Sequence, residues 1–327
     1  MGAEVLTIDL IRAAQAQLAG KIVHTPVVEM AQAVFEDLLP EGARAVIKLE
    51  LLQKAGSFKA RGALLSLMAL RAEARAVGVV AASGGNHALA VAHAAHSLGV
   101  SAKIAVPAAA DPVRIEGCRA LGAEVILCED IAAAFAQMEM IRDSEGRAMV
   151  HPFEGIGMSL GAATCGAEYH DAVPDLDAVV LPVGGGGLIS GMAAALKLLN
   201  PAVKIYGVEP EGADTMTRSL AAGYPVAIDK VATIADSLGA PSAMPFSFAL
   251  AQRYVDEVVR VPDAALQQAM GYLNSGLKIM PEPACAASLA GAIGPLRARL
   301  EGKRIGLLAC GSNISVAKFA SLVKQAD

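Results

Sequence analysis

The sequence contains no tryptophan, and aromatic residues make up only 4 % of its 327 residues. Charged residues are also scarce, at 18 %, and the formal net charge is −5 with no block of basic residues. Proteins that bind nucleic acids use basic surfaces to neutralise phosphates and aromatic side chains to stack on bases. The composition therefore argues against a nucleic-acid partner.

Cysteine is scarce as well: the five cysteines are scattered, and no Cys-x-x-Cys pair occurs. This pattern argues against a disulfide framework or a zinc site, and it predicts free thiols in a reducing cytoplasm. The N-terminus lacks the features of a secretory signal. The uncharged window 178–196 has the length of a membrane span, but Pro182 and four glycines interrupt it. We expect a strand, a loop and a helix there, and no membrane partner.

Apolar residues are abundant, at 54 % of the sequence. Length and apolar content together predict about two domains, each with a sizeable core. Short β-rich runs alternate with Ala- and Leu-rich runs of helical length, as in Val79–Ala82 followed by Asn86–Leu98. This alternation predicts an α/β fold with parallel-rich sheets and helices on both faces. Such sheets bind ligands at the carboxyl ends of their strands, so we expect the functional residues in the loops there.

The loop before the first long helical run contains Ser57, Phe58 and Lys59. Ser57 can cap the helix, which places Lys59 in the first helical turn. The positive end of the helix dipole disfavours a protonated amine there, and an amine with a lowered pKa can act as a nucleophile. Taken alone, however, Lys59 is better explained as an ordinary solvated surface charge.

Two further loops open predicted helices with groups that could bind an anion. The segment 83–87 (Ser-Gly-Gly-Asn-His) offers N–H groups suited to a carboxylate, although tight turns of this kind are common. Four consecutive glycines, 184–187, follow a buried strand and form a nest of N–H donors for phosphate. Neither a dinucleotide-binding nor a Walker motif fits that loop. Cys310 lies at the end of a later predicted strand. A role as a small buried hydrophobic residue explains this cysteine as well as a functional role does.

In their order along the chain and in their residues, these loops resemble those of the fold type II family of pyridoxal-phosphate enzymes. The resemblance is to the branch of threonine and serine dehydratases and serine racemases in particular. The resemblance runs from residue 24 to 313. The elements at 57–63 (Ser-Phe-Lys-Ala-Arg-Gly-Ala) and 84–87 (Gly-Gly-Asn-His) fit this branch better than the cysteine synthases. The resemblance implies a homodimer with a two-domain, tryptophan synthase β-like fold. The implied domains are a large pyridoxal-phosphate-binding domain, 1–51 and 152–327, and a small substrate-side domain, 52–151.

The resemblance also implies roles for the loop residues. Lys59 would be joined to the cofactor aldehyde as an imine and would later remove the Cα proton of the substrate. Cys310 would face the pyridine nitrogen, where a neutral thiol leaves the ring a weaker electron sink than a carboxylate would, which fits elimination from Cβ. The implied cofactor-binding residues are Phe58, Lys59, Asn86, Gly184, Gly185, Gly186, Gly187, Leu188 and Cys310. The implied substrate-binding residues are Ser83, Gly84, Asn86 and His87.

Three departures from the branch bear on specificity. Gly84 stands where serine racemases carry a serine that protonates the opposite face of Cα, so we expect weak racemisation. The stretch 130–134 (Asp-Ile-Ala-Ala-Ala) lacks the arginine with which racemases bind the substrate carboxylate. The divalent-cation site of the branch retains Glu209 and the Ala213 carbonyl, but Thr215 replaces its second carboxylate. A site for Mg²⁺ or another cation is one interpretation of this loop, and a solvated acidic loop is the other.

We therefore predict a cytoplasmic lyase, a pyridoxal-phosphate-dependent dehydratase. It would eliminate water from a small 3-hydroxy amino acid of the L-threonine or L-serine type and give a 2-oxo acid and ammonia. Dehydration of 3-hydroxyaspartate, which needs a cationic contact for the distal carboxylate, and serine racemisation stay open as alternatives. A catalytically silent homologue that binds the cofactor or an amino acid is a third, against which the retention of Lys59 argues.

Overall fold

The computed structural model describes residues 6–323, in which two β-sheets are covered by helices. The strands are β1 (Val27–Glu29), β2 (Arg44–Lys48), β3 (Val79–Ala82), β4 (Ala102–Pro107), β5 (Glu124–Cys128), β6 (Ala148–Met149), β7 (Ala178–Pro182), β8 (Lys204–Pro210), β9 (Glu257–Val261) and β10 (Arg304–Leu308). The helices are α1 (Ile8–Leu18), α2 (Ala33–Glu36), α3 (Lys59–Met68), α4 (Ala72–Val77), α5 (Asn86–Leu98), α6 (Pro112–Ala120), α7 (Ile131–Glu145), α8 (Ile156–Ala172), α9 (Gly187–Leu199), α10 (Thr215–Ala222), α11 (Pro245–Tyr254), α12 (Asp263–Leu277), α13 (Pro283–Ile293) and α14 (Val316–Val323).

The larger sheet has the strand order β1-β2-β10-β7-β8-β9, and the smaller has the order β5-β4-β3-β6. Every neighbouring pair is parallel except β1 with β2. Successive side chains of a strand point to opposite faces. In β3, Val79 and Ala81 pack with α5, whereas Val80 and Ala82 pack with α7. Helices thus cover both faces, and the predicted α/β class is confirmed.

Helices α3, α8 and α9 pack closely through glycines. A Cβ atom on Gly161 of α8 would lie 2.3 Å from the Gly62 nitrogen of α3, and one on Gly191 of α9 would lie 2.0 Å from the Ser159 oxygen of α8. Only glycine permits backbones to approach this closely. The contact holds the first turn of α3, which carries Lys59, against the start of α8.

The first long helical run, for which the sequence predicts one helix over 58–75, is divided in the structure. Helix α3 ends at Met68, Arg71 adopts an extended conformation, and α4 begins at Ala72. Between them, Leu70 packs against the core around the smaller sheet, so tertiary packing overrides the helical propensity of this stretch. The uncharged window 178–196 divides into β7, a loop and α9, and among the described residues no helix is long and apolar enough to cross a membrane.

The strands of the smaller sheet all lie between 79 and 149, whereas those of the larger sheet lie at 27–48 and 178–308. Helix α1 comes from the N-terminal segment, yet its Ala14 and Leu18 pack into the core around the smaller sheet. The domain boundaries predicted at 51/52 and 151/152 stay a prediction.

Candidate active site

Loops from both sheets meet beyond the carboxyl ends of their strands. Ser57 pairs with Gly311 through an antiparallel bridge. From the smaller sheet, Asn86 Nδ2 donates to Glu282 Oε1 at 2.5 Å, and Asn86 Oδ1 accepts from Asn313 Nδ2 at 2.7 Å. These contacts bring together three loops that the sequence singled out, at 57–59, 83–87 and 310–313.

Lys59 is the first residue of α3, where the sequence placed it. Its Nζ donates to the carbonyl oxygen of Pro152 and lies 5.0 Å from the ring centroid of Phe58. Burial lowers the pKa of the Lys59 amine to about 8. Roughly a tenth of this amine is therefore neutral at pH 7, and the neutral form is the one that a nucleophile or a general base requires.

Cys310 follows β10 and is buried, with 3 % of its surface exposed. A hydrogen bond with Cys285, together with burial, raises the pKa of the Cys310 thiol well above its ordinary value. The Cys310 oxygen accepts from the Phe58 nitrogen at 3.2 Å, which places the thiol residue beside the Lys59 turn. The side chain at this strand end is therefore a neutral thiol.

The four glycines lie between β7 and the start of α9 and leave no room for side chains. A Cβ atom on Gly184 would lie 2.9 Å from the Cα of Leu238, one on Gly185 would lie 2.3 Å from the Phe153 ring, and one on Gly187 would lie 2.6 Å from the Phe153 oxygen. Gly186 has a φ of +90°, a conformation that favours glycine. The first N–H groups of α9, including that of Leu188, lack intrahelical acceptors and suit a phosphate.

Asn86 belongs to a buried polar network that sequence reasoning missed. At its centre is Arg114 of α6, whose Nη2 lies 3.3 Å from Glu282 Oε2 and whose Nη1 donates to Asp236 Oδ2 at 2.7 Å. Burial raises the pKa of Glu282. Because α6 covers the smaller sheet and Glu282 precedes α13 at the larger one, the network ties the two sheets together across the site.

The same arginine also holds the substrate-side loop. Arg114 Nη1 donates to the Gly84 oxygen at 3.1 Å, and its Nε donates to the Asn313 oxygen at 2.8 Å. Nothing in the sequence separates Arg114 from a solvated helix residue, since its carboxylate partners lie more than 100 positions further along the chain. A charged residue on a helix facing a predicted strand end was the one weak signal available.

The residues predicted to contact substrate lie in this loop but differ in what they can do. Ser83 Oγ accepts from the Gly85 nitrogen at 3.0 Å. His87 is buried, with Nε2 2.9 Å from the Val150 oxygen, and burial lowers its pKa to about 3. His87 is therefore neutral and offers a substrate carboxylate no charge. A Cβ atom on Gly84 would lie 3.3 Å from both Ala110 and Pro107, so a larger residue is crowded there.

Glu209, one of the two predicted cation ligands, is hydrogen-bonded within the protein. The Glu209 carboxylate accepts from the backbone nitrogens of Met216 and Thr217 at 2.7 and 2.8 Å, and from Thr217 Oγ1 at 2.7 Å. These bonds cap the start of α10 and use both carboxylate oxygens. Between residues 6 and 323 no group of three His, Cys, Asp or Glu side chains could hold a metal ion. The predicted site combines one carboxylate with the Ala213 carbonyl, and it stays a prediction.

Arg61, two residues after Lys59, has a different task. Its guanidinium donates to both oxygens of Glu50, at 2.8 and 2.7 Å, and to Glu168 Oε2. All three side chains are nearly inaccessible to solvent, and Lys48 Nζ lies 3.6 Å from Glu168. The arginine of this motif thus stabilises the junction of β2, α3 and α8 rather than the site itself.

Taken together, these features fit pyridoxal phosphate: a lysine with a lowered pKa, a glycine cradle with N–H donors at a helix start, and a neutral thiol at the end of β10. The pyridoxal-phosphate-dependent enzyme family matches residues 19–311. The chain belongs to this family, and its fold is that of the fold type II enzymes.

Individual relatives narrow the comparison. The chain is 48 % identical to phenylserine dehydratase of Ralstonia pickettii over 85 % of its length and 86 % of the relative. It is 37 % identical to L-threonine ammonia-lyase of Thermotoga maritima over 98 % of its length and 79 % of the relative. The structure of maize serine racemase superposes with a TM-score of 0.90 at 34 % identity and covers 97 % of each chain.

Proposed function

We propose that this protein is a pyridoxal-phosphate-dependent ammonia-lyase that dehydrates 3-hydroxy amino acids. The substrate loses the Cα proton and the Cβ hydroxyl as water, and the resulting enamine takes up water to give a 2-oxo acid and ammonia. Relatives named phenylserine dehydratase and L-threonine ammonia-lyase support this reaction class. The candidate substrates therefore include L-threonine, L-serine and 3-phenylserine.

The observation that carries the proposal is the position of the Lys59 amine. It begins a helix and is desolvated enough to lower its pKa to about 8, and it lies beside the 310–313 loop, which begins with the neutral Cys310 thiol. An amine of this kind can hold the cofactor and later accept a proton at Nζ. When bound, the cofactor withdraws electrons from the substrate Cα, and the thiol at Cys310 limits that withdrawal.

The other residues of the chain bind and orient. The N–H groups of 185–188 receive the phosphate at the positive end of α9. Phe58 supplies an apolar face beside the amine, and Asn86, fixed by Glu282 and Asn313, offers its amide to the cofactor ring oxygen. Ser83 and the N–H groups of the loop it begins are placed for the substrate carboxylate.

The environment of Gly84 favours elimination over racemisation. Racemisation requires a second acid–base group on the face of Cα opposite Lys59, and glycine supplies none. Ala110 and Pro107 crowd the position that such a side chain would occupy. The protein thus resembles the maize racemase in its fold but has glycine at the position proposed for the second proton donor.

The holoenzyme assay that tests the proposal measures 2-oxo acid and ammonia from L-threonine, L-serine and 3-phenylserine. We expect the two products in equal amounts, with no enantiomer of the substrate accumulating, and a loss of turnover of about 10³-fold or more in Lys59→Ala. Interconversion of enantiomers without ammonia would identify a racemase instead. Cofactor binding with no turnover of any substrate would identify a silent homologue.

The proposal includes a cytoplasmic, homodimeric enzyme. All five cysteines are free, and Cys118, Cys165, Cys285 and Cys310 are buried, which supports a reducing compartment. The homodimer rests on the family resemblance. Light scattering of the purified holoenzyme at several concentrations measures the mass directly, with a value near 33.3 kDa contradicting the dimer.

A further inference from the structure

A row of aromatic side chains flanks the Lys59 amine. The His151 ring packs edge-on against the Phe153 ring, with centroids 4.7 Å apart and planes at 83°. On its other side, the Phe135 ring lies with its centroid 6.2 Å from that of His151. We call Phe135, His151 and Phe153 the aromatic row.

The aromatic row starts at the cofactor loop and leads away from it. Phe153 packs against Gly185 and Gly187, and its neighbour Pro152 accepts the hydrogen bond of Lys59 Nζ. Phe135 lies in the second turn of α7, at the end of the smaller sheet that also carries the 83–87 loop. All three side chains of the row remain partly accessible.

The concentration of aromatic residues is unexpected for this composition. The chain has seven phenylalanines and no tryptophan. Two of the seven, Phe58 and Phe153, belong to segments that contact Lys59, and a third, Phe135, packs against His151. Among the described residues, the core between α5 and the smaller sheet contains no aromatic side chain, which sets the aromatic row apart from the packing on that face of the sheet.

The row is also uncharged. His151 Nδ1 accepts from the backbone nitrogens of Phe153 and Glu154 at 3.3 and 3.0 Å, which fixes the ring and keeps that nitrogen unprotonated. Burial, followed by the nearby Lys59, lowers the His151 pKa to about 4. Arg114, the arginine of the buried polar network, is already paired with Asp236 and Glu282.

A second carboxylate on the substrate would therefore find aromatic rings and a neutral imidazole where it needs a cation. An aryl ring, in contrast, can extend the edge-to-face packing of the row, which is favourable for aromatic pairs. The site geometry thus disfavours 3-hydroxyaspartate and accepts a flat apolar group on Cβ.

Resting on the proposed function, we infer that the aromatic row is the specificity subsite for the Cβ substituent and selects 3-hydroxy amino acids that carry an aryl group there. Phe135 is the ring at the outer end of the row. It is the residue whose loss most directly changes the choice between an aryl group and a methyl group.

The test compares kcat/KM for 3-phenylserine and L-threonine in the wild type, Phe135→Leu and Met140→Leu. Leucine keeps the apolar bulk of Phe135 and removes the ring, whereas Met140 lies on the same helix exposed to solvent. We expect Phe135→Leu to lower the preference for 3-phenylserine by about 3- to 10-fold, the range of one aromatic pair. Met140→Leu keeps the wild-type preference. An unchanged preference in Phe135→Leu overturns the inference.

A binding measurement separates this inference from the proposed function and does not depend on turnover. L-Phenylalanine has the aryl ring but no Cβ hydroxyl, and L-alanine lacks both. Calorimetry on the holoenzyme should show tighter binding of L-phenylalanine, with the difference reduced by about 3- to 10-fold in Phe135→Leu. Preference for L-phenylalanine without dehydration of any substrate would refute the proposed function and retain the subsite. Turnover of L-threonine without any preference for an aryl group would retain the proposed function and refute the subsite.

Discussion

The amine of Lys59 combines two properties that are usually opposed, since it is desolvated and yet remains within reach of a ligand. Burial against Phe58 and the 152–153 segment penalises its protonated form and lowers its pKa, and the proximity of Cys310 acts in the opposite direction. Because the Cys310 thiol is itself held neutral, no fixed negative charge restores the proton. At the scale of single residues, then, the reactivity of this lysine is a consequence of its surroundings.

Attachment of the cofactor to the apoprotein should follow the protonation of Lys59. Only the neutral amine attacks an aldehyde, and its folded-state pKa of about 8 is lower than that of an ordinary lysine. We expect the attachment rate to rise between about pH 6 and 9 with a midpoint near the Lys59 pKa. Stopped-flow absorbance measures this rate. A rate that still rises steeply above about pH 10 would contradict the assignment, since it would indicate a solvated lysine. Lys59→Ala, reduced with borohydride after mixing, should carry no cofactor by mass spectrometry.

At the scale of elements, the start of α9 illustrates how a loop sequence can specify a binding surface. The glycines bring the backbone of the loop against Phe153 and Leu238, and the helix dipole places its positive end at the same point. A side chain would separate these layers and cover the N–H groups. The requirement for glycine is therefore steric at 184, 185 and 187 and conformational at Gly186.

Gly187→Ala should weaken cofactor binding while leaving the fold intact. Its Cβ would lie 2.6 Å from a backbone oxygen of Phe153, which cannot move as freely as a side-chain tip. We expect the Kd of pyridoxal phosphate to rise by about tenfold or more, measured by fluorescence or calorimetry on the apoprotein. The matched control is Gly271→Ala in α12, where the nearest atom is 3.8 Å away. That change should leave the Kd unchanged and stabilise the helix by about 0.5–1 kcal/mol. Equal Kd values for the two variants would contradict the cradle.

The sequence predicted the local elements of the site better than their partners. Strand β3 and helix α5 lie at the predicted residues, since alternating β-rich and helical runs report local periodicity. The ion pairs of Arg114 with Asp236 and Glu282 could not be predicted, because residues distant in the chain meet only after both sheets form. The break between α3 and α4 has the same origin, because Leu70 packs against a core whose other residues lie elsewhere in the chain.

At the scale of the whole molecule, two buried ionic clusters hold the parts in register. One is centred on Arg114 and joins the smaller sheet to the larger across the site. The other is centred on Arg61 and joins β2, α3 and α8 through Glu50 and Glu168. Pairing with Arg61 lowers the pKa of Glu50 despite the opposing effect of burial, so this carboxylate remains ionised in the folded protein.

Arg61→Met should destabilise the protein strongly. It leaves Glu50 and Glu168 buried without their main counter-charge, and breaking a buried pair from one side costs about 3–5 kcal/mol. Urea unfolding of the holoenzyme measures this loss. Arg142→Met is the control, since its ion pair with Asp143 is solvent-exposed and contributes little to stability. Comparable losses in the two variants would show that the Arg61 cluster adds nothing beyond a surface pair.

The strand order of the larger sheet has a consequence for biogenesis. Strand β10, the last of the described strands, lies between β2 and β7, so the antiparallel β1–β2 pair has no strand pairing with the rest of its sheet until residues 304–308 leave the ribosome. The smaller sheet, contiguous from 79 to 149, can fold during synthesis. A nascent chain halted shortly before β10 would therefore contain a complete smaller sheet and a larger sheet still in two parts, and the Cys310 side of the cofactor site would be missing.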